Sequence, residues 1–328
     1  MHQGNPSSPG LRGMSLKHFI EIYGTLLAGI VLFVFLIVFA DNFSSTANLL
    51  NVLKQVSVLS ILAVGFTFAL ITSELDLSFA NVCSLSAVVI GSLISIDVAW
   101  PVAVCAGIAT GIAAGLLNGF LVTILKVPSL ISTLGTASIA NGLAFMITGG
   151  VAFVGRWDAN FLYLSRGKIG PVPVVILFTL GLVLVAVLLS TQTRTGVHMQ
   201  ATGENEEAAR RSGINTRNCK ILGLTLAGLS AGIAAMFLVA NLSSAAPQMA
   251  GDFLLNGIAA TLLGMTMFTP AKPNIPGTVV GALIIVILSN GLVLLGAQYY
   301  IQDIMLGIII IASVAVSASV LKRAAFAL

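Results

Sequence analysis

Apolar residues fall along this chain in blocks near twenty residues long, separated by short polar intervals. The blocks lie at about 19–40, 52–71, 80–98, 101–122, 129–148, 171–190, 221–241, 254–270, 277–296 and 301–320. As helices they are long enough to cross a hydrocarbon core of about 30 Å. A membrane barrel would instead show short alternating segments. The pattern predicts an all-α polytopic membrane protein with about ten transmembrane helices, with room for a broken helix in the fourth and eighth intervals. The first block exceeds the roughly 7–15 apolar residues of a signal peptide. Despite Val38-Phe39-Ala40, it reads as an uncleaved first span.

Composition agrees and excludes other classes. Of 328 residues, 57% are hydrophobic and 8% charged, with mean hydropathy +1.06, so a soluble globular domain is excluded. The net charge of +4 comes with no basic patch interleaved with aromatics, which excludes a nucleic-acid partner. Cys83, Cys105 and Cys219 have no paired or metal-type spacing and read as small apolar side chains. His2, His18 and His198 form no ligand cluster, and no metal site is expected.

The placement of charge sets the orientation. With the N-terminus in the cytoplasm, the inner side holds Arg12, Lys17, Lys126, Arg194, Arg210, Arg211, Arg217, Lys220, Lys272, Lys322 and Arg323. The outer side holds only Lys54, Arg156, Arg166 and Lys168, a bias that puts both termini inside. The organisation that follows is a disordered tail at 1–17 and one transmembrane domain at 18–322. That domain carries an external loop at 149–170 and a cytoplasmic segment at 191–220, and a tail at 323–328 ends the chain.

The densest polar stretch is Thr202–Asn215, TGENEEAARRSGIN. Glu206 and Glu207 precede Arg210 and Arg211 by four residues, the spacing of helical ion pairs. Acids in the first turn and bases in the last suit the helix dipole. Asn205 is placed as an N-cap, and Gly213 as a left-handed terminator that lets Ile214 fold back onto Ala209. A single helix of about two turns is expected. It is too short to be stable alone, so something must hold it.

Three further groups are candidates for structure or chemistry. Gly107, Gly111, Gly115 and Gly119 recur every four residues on one face of the fourth span, suited to close helix packing or a glycine-lined conduit. Gly228 with Gly232, and Gly277 with Gly281, repeat the spacing. Glu74, Asp76 and Ser78 lie between the second and third spans. They make either a capped turn at the inner membrane edge, with Asp76 or Ser78 as the cap, or part of a gate. Proton coupling is disfavoured, because no intramembrane Lys, Arg or His completes a relay. Ser129, Ser132, Thr133 and Thr136 share one side of the fifth span, with Asn141 further along. Their hydroxyls either bond to their own helix or a neighbour, or offer a weakly polar wall to a passing solute. The chain has no phosphate loop, no H-E-x-x-H and no G-x-S-x-G. It is expected to hydrolyse nothing itself.

Taken together, several segments resemble the permease subunit of an ATP-binding-cassette importer of the ribose-type sugar family. The first set is Ala63-Val64-Gly65 with Phe68, and Leu75-Asp76-Leu77-Ser78. The second is Leu117-Asn118-Gly119, Lys126-Val127-Pro128, Ile131-Ser132-Thr133-Leu134-Gly135-Thr136, Gly142-Leu143-Ala144 and Ile147-Thr148-Gly149-Gly150. The strongest is Thr195-Gly196, Gly203-Glu204-Asn205-Glu206-Glu207-Ala208-Ala209 and Ser212-Gly213-Ile214-Asn215. Asn290-Gly291-Leu292, Leu294-Leu295-Gly296 and Gly307-Ile308-Ile309-Ile310 close the series.

The resemblance implies a type II importer fold, similar to the cobalamin permease, in which two permease subunits enclose one pathway. It implies an ATPase pair docked on Glu204–Gly213 as coupling helix, and a periplasmic solute-binding protein that delivers a sugar or sugar-like solute. ATP and Mg would be used by the ATPase, with no cofactor bound here. Two departures stand out. Ser73-Glu74 replaces the family's frequent Gly-Gly. Three prolines, Pro270, Pro273 and Pro276, occupy its glycine-rich stretch after the eighth span, which suggests a divergent subunit of a heteromeric pair. The rival readings are a self-contained secondary transporter or channel, which would pass solute alone, and an intramembrane enzyme, for which no constellation is visible.

Overall fold

The computed structural model describes the backbone of residues 16–155 and 157–326, and the side chains of 23–155 and 157–315. The tail expected at 1–17 lies, up to residue 15, outside the described residues. Helix α1 (Leu16–Phe39) is followed by α2 (Thr46–Ile71), α3 (Phe79–Ser95), α4 (Trp100–Thr123) and α5 (Ser129–Thr148). A short helix α6 (Ala159–Arg166) lies in the expected external loop, between strand β1 (Phe153–Val154) and the hairpin β2 (Lys168–Ile169)–β3 (Val172–Pro173). Next come α7 (Val174–Gln192), α8 (Arg194–Glu204), α9 (Glu206–Arg211), α10 (Thr216–Leu242) and β4 (Ser244–Ala245). Last are α11 (Phe253–Gly264), α12 (Ile275–Leu294) and α13 (Tyr299–Phe326). The C-terminal tail expected from residue 323 is, up to Phe326, a continuation of α13.

Every expected span overlaps an apolar helix. Among the described residues six helices, α2, α4, α5, α7, α10 and α12, are long and apolar enough to cross a membrane, and four apolar stretches in α1, α3, α11 and α13 are shorter. The block expected at 254–270 is helical only over α11, whose 12 residues span about 18 Å. The reason lies just past it. Phe268 and Ala271 take positive φ, and the chain turns back on itself with the Ala271 N–H on the Met265 carbonyl at 2.8 Å. Asn274 pins this turn. Its amide donates to the carbonyls of Gly264, Met267 and Lys272, while its oxygen accepts from Gly277 N at 2.7 Å and caps α12. Pro276 occupies the first turn of α12, where no N–H is required.

Of the six long spans α2 and α10 are the most buried, and with α3 they make the centre. The seam between α4 and α10 brings backbone onto backbone. A Cβ on Gly115 would sit 2.5 Å from the Leu224 carbonyl oxygen, and those on Gly111 and Gly228 would overlap each other's helix. Gly107 rests on Ile90 of α3, and Gly119 on Ile221. Gly277 and Gly281 give α12 the same approach to α11. Around these seams pack Phe66, Phe79, Phe161 and Phe237. α2 is joined to α12 by a reciprocal amide pair, Asn48 to Asn290, at 2.9 and 3.0 Å, and by Thr67 to Thr278 at 2.8 Å. At the far end, β1 pairs with β4 through Phe153↔Ala245, and the Arg166 guanidinium donates twice to the Asn241 carbonyl at 3.0 and 2.5 Å. Large apolar side chains stay exposed along α1, α5, α7 and α13, as lipid-facing surfaces require.

Candidate functional site

The expected single helix around 205–213 is in fact the second arm of an elbow. Thr193 caps α8 by accepting from Gly196 N at 3.0 Å. Asn205, at φ −158° and ψ 98°, ends α8 and starts α9 by accepting from Ala208 N at 3.0 Å. Gly203 and Glu204, expected in the coupling helix, therefore close α8, because the capping side chain that starts one helix stops the other. α9 carries Glu206 and Glu207 in its first turn and Arg210 and Arg211 in its last. Glu207 pairs with Arg211. Glu206 turns instead from Arg210 toward Thr216 and Lys220. Gly213 takes φ +83°, and Ile214 N donates to the Ala209 carbonyl at 3.0 Å. Ala209 is buried.

Four contacts seat the elbow. The Gly203 α-carbon lies against the Ile71 carbonyl, where a Cβ would overlap it, and Ser73 Oγ donates to the Gly203 carbonyl at 2.8 Å. Glu204 pairs with Lys272 at 2.5 Å. Lys220, on α10, places its ammonium 2.7 Å from Glu206 and 2.8 Å from Glu74. The Lys220 and Glu74 side chains are only 17% and 9% exposed. The Lys220 hydrogen bond holds the Glu206 carboxyl below the usual range against partial burial, with Thr216 and Arg210 adding to it.

Beyond Glu74 the junction runs inward as a chain of hydrogen bonds. Asp76, fully buried, accepts from Ser78 N at 2.8 Å and Ser78 Oγ at 2.5 Å. Ser78 Oγ accepts from Asn118 Nδ2 at 2.9 Å, and Asn118 Oδ1 accepts from Thr136 Oγ1 at 2.6 Å. Thr133 Oγ1 accepts from Leu77 N at 3.1 Å, and Ser129 Oγ from Leu75 N at 3.2 Å. The loop at 72–78 is thus bonded to α4, α5 and α8, and through Lys220 to α9 and α10. Ser78 stands at the N-cap position of α3 but its side chain makes no capping bond. Asp76 takes the Ser78 N–H, so the carboxylate shapes the turn before the helix.

Of the candidate residues, Glu74, Asp76, Ser78, Thr133 and Thr136 are brought together. Ser132 Oγ and Asn141 Oδ1 are buried without a hydrogen-bond partner. Thr133 and Thr136 bond to neighbouring segments and do not present free hydroxyls to a shared wall. Gly107, Gly111, Gly115 and Gly119 lie in helix seams. Two central residues were not among the candidates for chemistry. Asn118 stands in the Leu117-Asn118-Gly119 segment of the resemblance, but only as an amide in an otherwise apolar block. Lys220 shows as a base at the edge of one, and nothing local ties it to Glu74.

Two cavities flank the centre. One of about 700 Å³ opens beside the elbow, bounded by Ser73, Gln200, Glu204, Lys272 and the proline-rich turn. The other, of about 490 Å³, lies at the opposite end between α2, α11, α12 and α13, with Gln55, Asp252, Asn256, Tyr299, Gln302 and Asp303 on its walls. Among the described residues no group of His, Cys, Asp and Glu is arranged to hold a metal ion.

Residues 48–314 match the family described as branched-chain amino acid transport system / permease component. The chain belongs to that permease family. The ribose import permease RbsC of Escherichia coli K12 is 36% identical over 296 residues, covering 89% of this chain and 92% of that one. Its Bacillus subtilis 168 counterpart is also 36% identical, covering 89% and 91%. The L-arabinose transport system permease AraH of E. coli K12 is 34% identical, covering 89% of both chains. A metal-chelate type ABC transporter in an inward-facing conformation matches at TM-score 0.45 and 14% identity, over 93% of this chain and 99% of that one. The permease is a multi-pass protein of the bacterial inner membrane and a transport subunit, not an enzyme.

Proposed function

We propose that the permease forms the translocation pathway of an ATP-binding-cassette importer for a sugar or sugar-like polar solute. A periplasmic binding protein delivers the solute, and separate ATPase subunits supply the energy by docking on α9. Ten apolar segments, of which α11 is helical over only part of a crossing, build the membrane domain, with both termini and the elbow in the cytoplasm. A second permease chain, identical or related, completes the pathway. The relatives named for ribose and arabinose import support the solute class. The observation that carries the reading is the seated elbow. A six-residue helix is unstable on its own. Here it is capped at both ends, anchored by Ala209, and offers an exposed Glu207–Arg211 face.

The test uses the permease co-purified with its ATPase and reconstituted with its binding protein. Gly213→Val strains a backbone at φ +83°, and Glu207→Lys reverses charge on the exposed face. Both variants are expected to insert normally while binding-protein-stimulated ATP hydrolysis and uptake fall about tenfold or more. Full uptake in both would remove α9 from the docking role. Solute flux through the permease alone would overturn the importer reading.

A further inference from the structure

We infer that Lys220 is a positioning residue that transmits displacement of α9 to the loop at 72–78, and through that loop to α4 and α5. The inference rests on the reading of α9 as the ATPase-docking helix, and goes beyond it by naming the link between that helix and the membrane-embedded part.

Lys220 is where two separate carboxylates meet. Glu206 comes from α9 and Glu74 from the loop between α2 and α3, and the single ammonium on α10 lies 2.7 and 2.8 Å from them. The other ion pairs seen here differ in kind. Glu207–Arg211 stays within α9, with side chains 62% and 78% exposed, and Glu204–Lys272 is 57% and 63% exposed. Such surface pairs contribute about 0–1 kcal/mol and break readily. The Lys220–Glu74 pair is shielded from water, whereas Glu206, the partner of Lys220 on α9, is 49% exposed, so on that side the short chain leading from α9 into α10 shares the load. Pulling Lys220 away would leave a buried carboxylate uncompensated, a state that strongly opposes separation. Glu74 therefore follows Lys220. The other tie from the elbow to the loop, Ser73 Oγ to the Gly203 carbonyl, belongs to α8.

What Glu74 moves is fixed by its neighbours. Leu75 N is held by Ser129 and Leu77 N by Thr133, one turn apart at the start of α5. Asp76 continues through Ser78 and Asn118 to Thr136, further along the same helix. The loop is bonded directly to α5 at Ser129 and Thr133, and through Asn118 of α4 to Thr136, so a shift of the loop loads the first two turns of that helix. An ion pair makes the link at Lys220, and hydrogen bonds that start at the Asp76 carboxylate make it on the inner side.

The experiment compares Lys220→Met, Glu74→Gln and Lys220→Arg in the reconstituted complex of permease, ATPase and binding protein. Co-purification of the ATPase, its hydrolysis rate and solute uptake are all measured. With Lys220→Met and Glu74→Gln, the ATPase is expected to remain bound, while uptake per ATP hydrolysed falls about tenfold. The double variant should be no worse than Lys220→Met alone, because both remove one link. Lys220→Arg, which keeps two-carboxylate contact, should retain most of the ratio. Using a ratio makes the result independent of how much protein folds. An unchanged ratio in Lys220→Met overturns the inference, and so does additive loss in the double variant. Loss of ATPase co-purification in Lys220→Met also overturns it, since Lys220 would then belong to the docking surface. The underlying reading fails separately, when Glu207→Lys leaves binding and uptake intact.

Discussion

Where α4 meets α10, glycine lets backbone lie on backbone; where α9 meets the bundle, charged side chains hold it at arm's length. The first seam is mostly backbone on backbone, with the Ile221 side chain against Gly119. Any sliding would drive carbonyls into α-carbons along the line of Gly111, Gly115, Gly228 and Gly232. The second is held by ion pairs that reach from the elbow to the rest of the chain, Glu206–Lys220 from α9 and Glu204–Lys272 from the end of α8, with carboxylates 49% and 57% exposed. Such a seam is expected to keep α4 and α10 together as one body. Small residues make the part that stays rigid, and charges make the part that is handled.

The sharpest way to break this comparison is at the glycine seam. Gly111→Leu forces a side chain into the Gly228 carbonyl and should destabilise the bundle by about 3 kcal/mol or more, beyond the usual range of core overpacking, because the obstacle is backbone. The expected result is loss of a monodisperse peak in detergent chromatography, with no rescue by Lys220 variants. A milder break falls between the two regions. Asn118→Leu leaves the Ser78 and Thr136 hydroxyls without their amide, at a cost of about 1–3 kcal/mol. It should lower the melting temperature in detergent while the ATPase still co-purifies.

The smallest effect is a pH dependence confined to the elbow. Glu206 has its folded pKa lowered from the ordinary 4.5, chiefly by Lys220, so its contribution is full above about that value. It is lost as the pH falls below 4.5 through the lower folded value. A spin label at Ser212→Cys should become more mobile only in that acid range. In a Glu206→Gln background it should be mobile at every pH. A label on α10 at Leu242→Cys should not respond.

The spans were legible because membrane helices are written as runs, and a run needs no partner to be recognised. The end of α11 was legible only as room for a break in the eighth block, because Met265, Met267 and Phe268 are as apolar as a helix interior. Only the positive φ at Phe268 and the grip of Asn274 show the chain leaving the helix there. The caps of α9 were legible because Asn205 and Gly213 act within four residues of themselves. That Asn205 also closes a preceding helix was missed, since Thr193-Arg194-Thr195-Gly196 is a weaker start signal than the charged run after it. The pairing of Glu74 with Lys220 was illegible in principle. A sequence shows that two charges exist, while their distance is settled by how α2 and α10 pack. The hydroxyl stripe on α5 was visible, but its use was open until Leu75, Leu77 and Asn118 stood beside it.

One feature of the far end bears on how α10 can move. Its last turn is gripped by Arg166 at the Asn241 carbonyl, and the chain beyond it is stitched to Phe153 and Val154. A rod held at one end and pushed at the other has a fulcrum. The 27 residues of α10 measure about 40 Å, so a swing of about 5° carries the Lys220 end about 3 Å while the Asn241 end stays almost still. On the proposed coupling, the Arg166 end of α10 keeps its place while the travel falls at Lys220, beside Glu74.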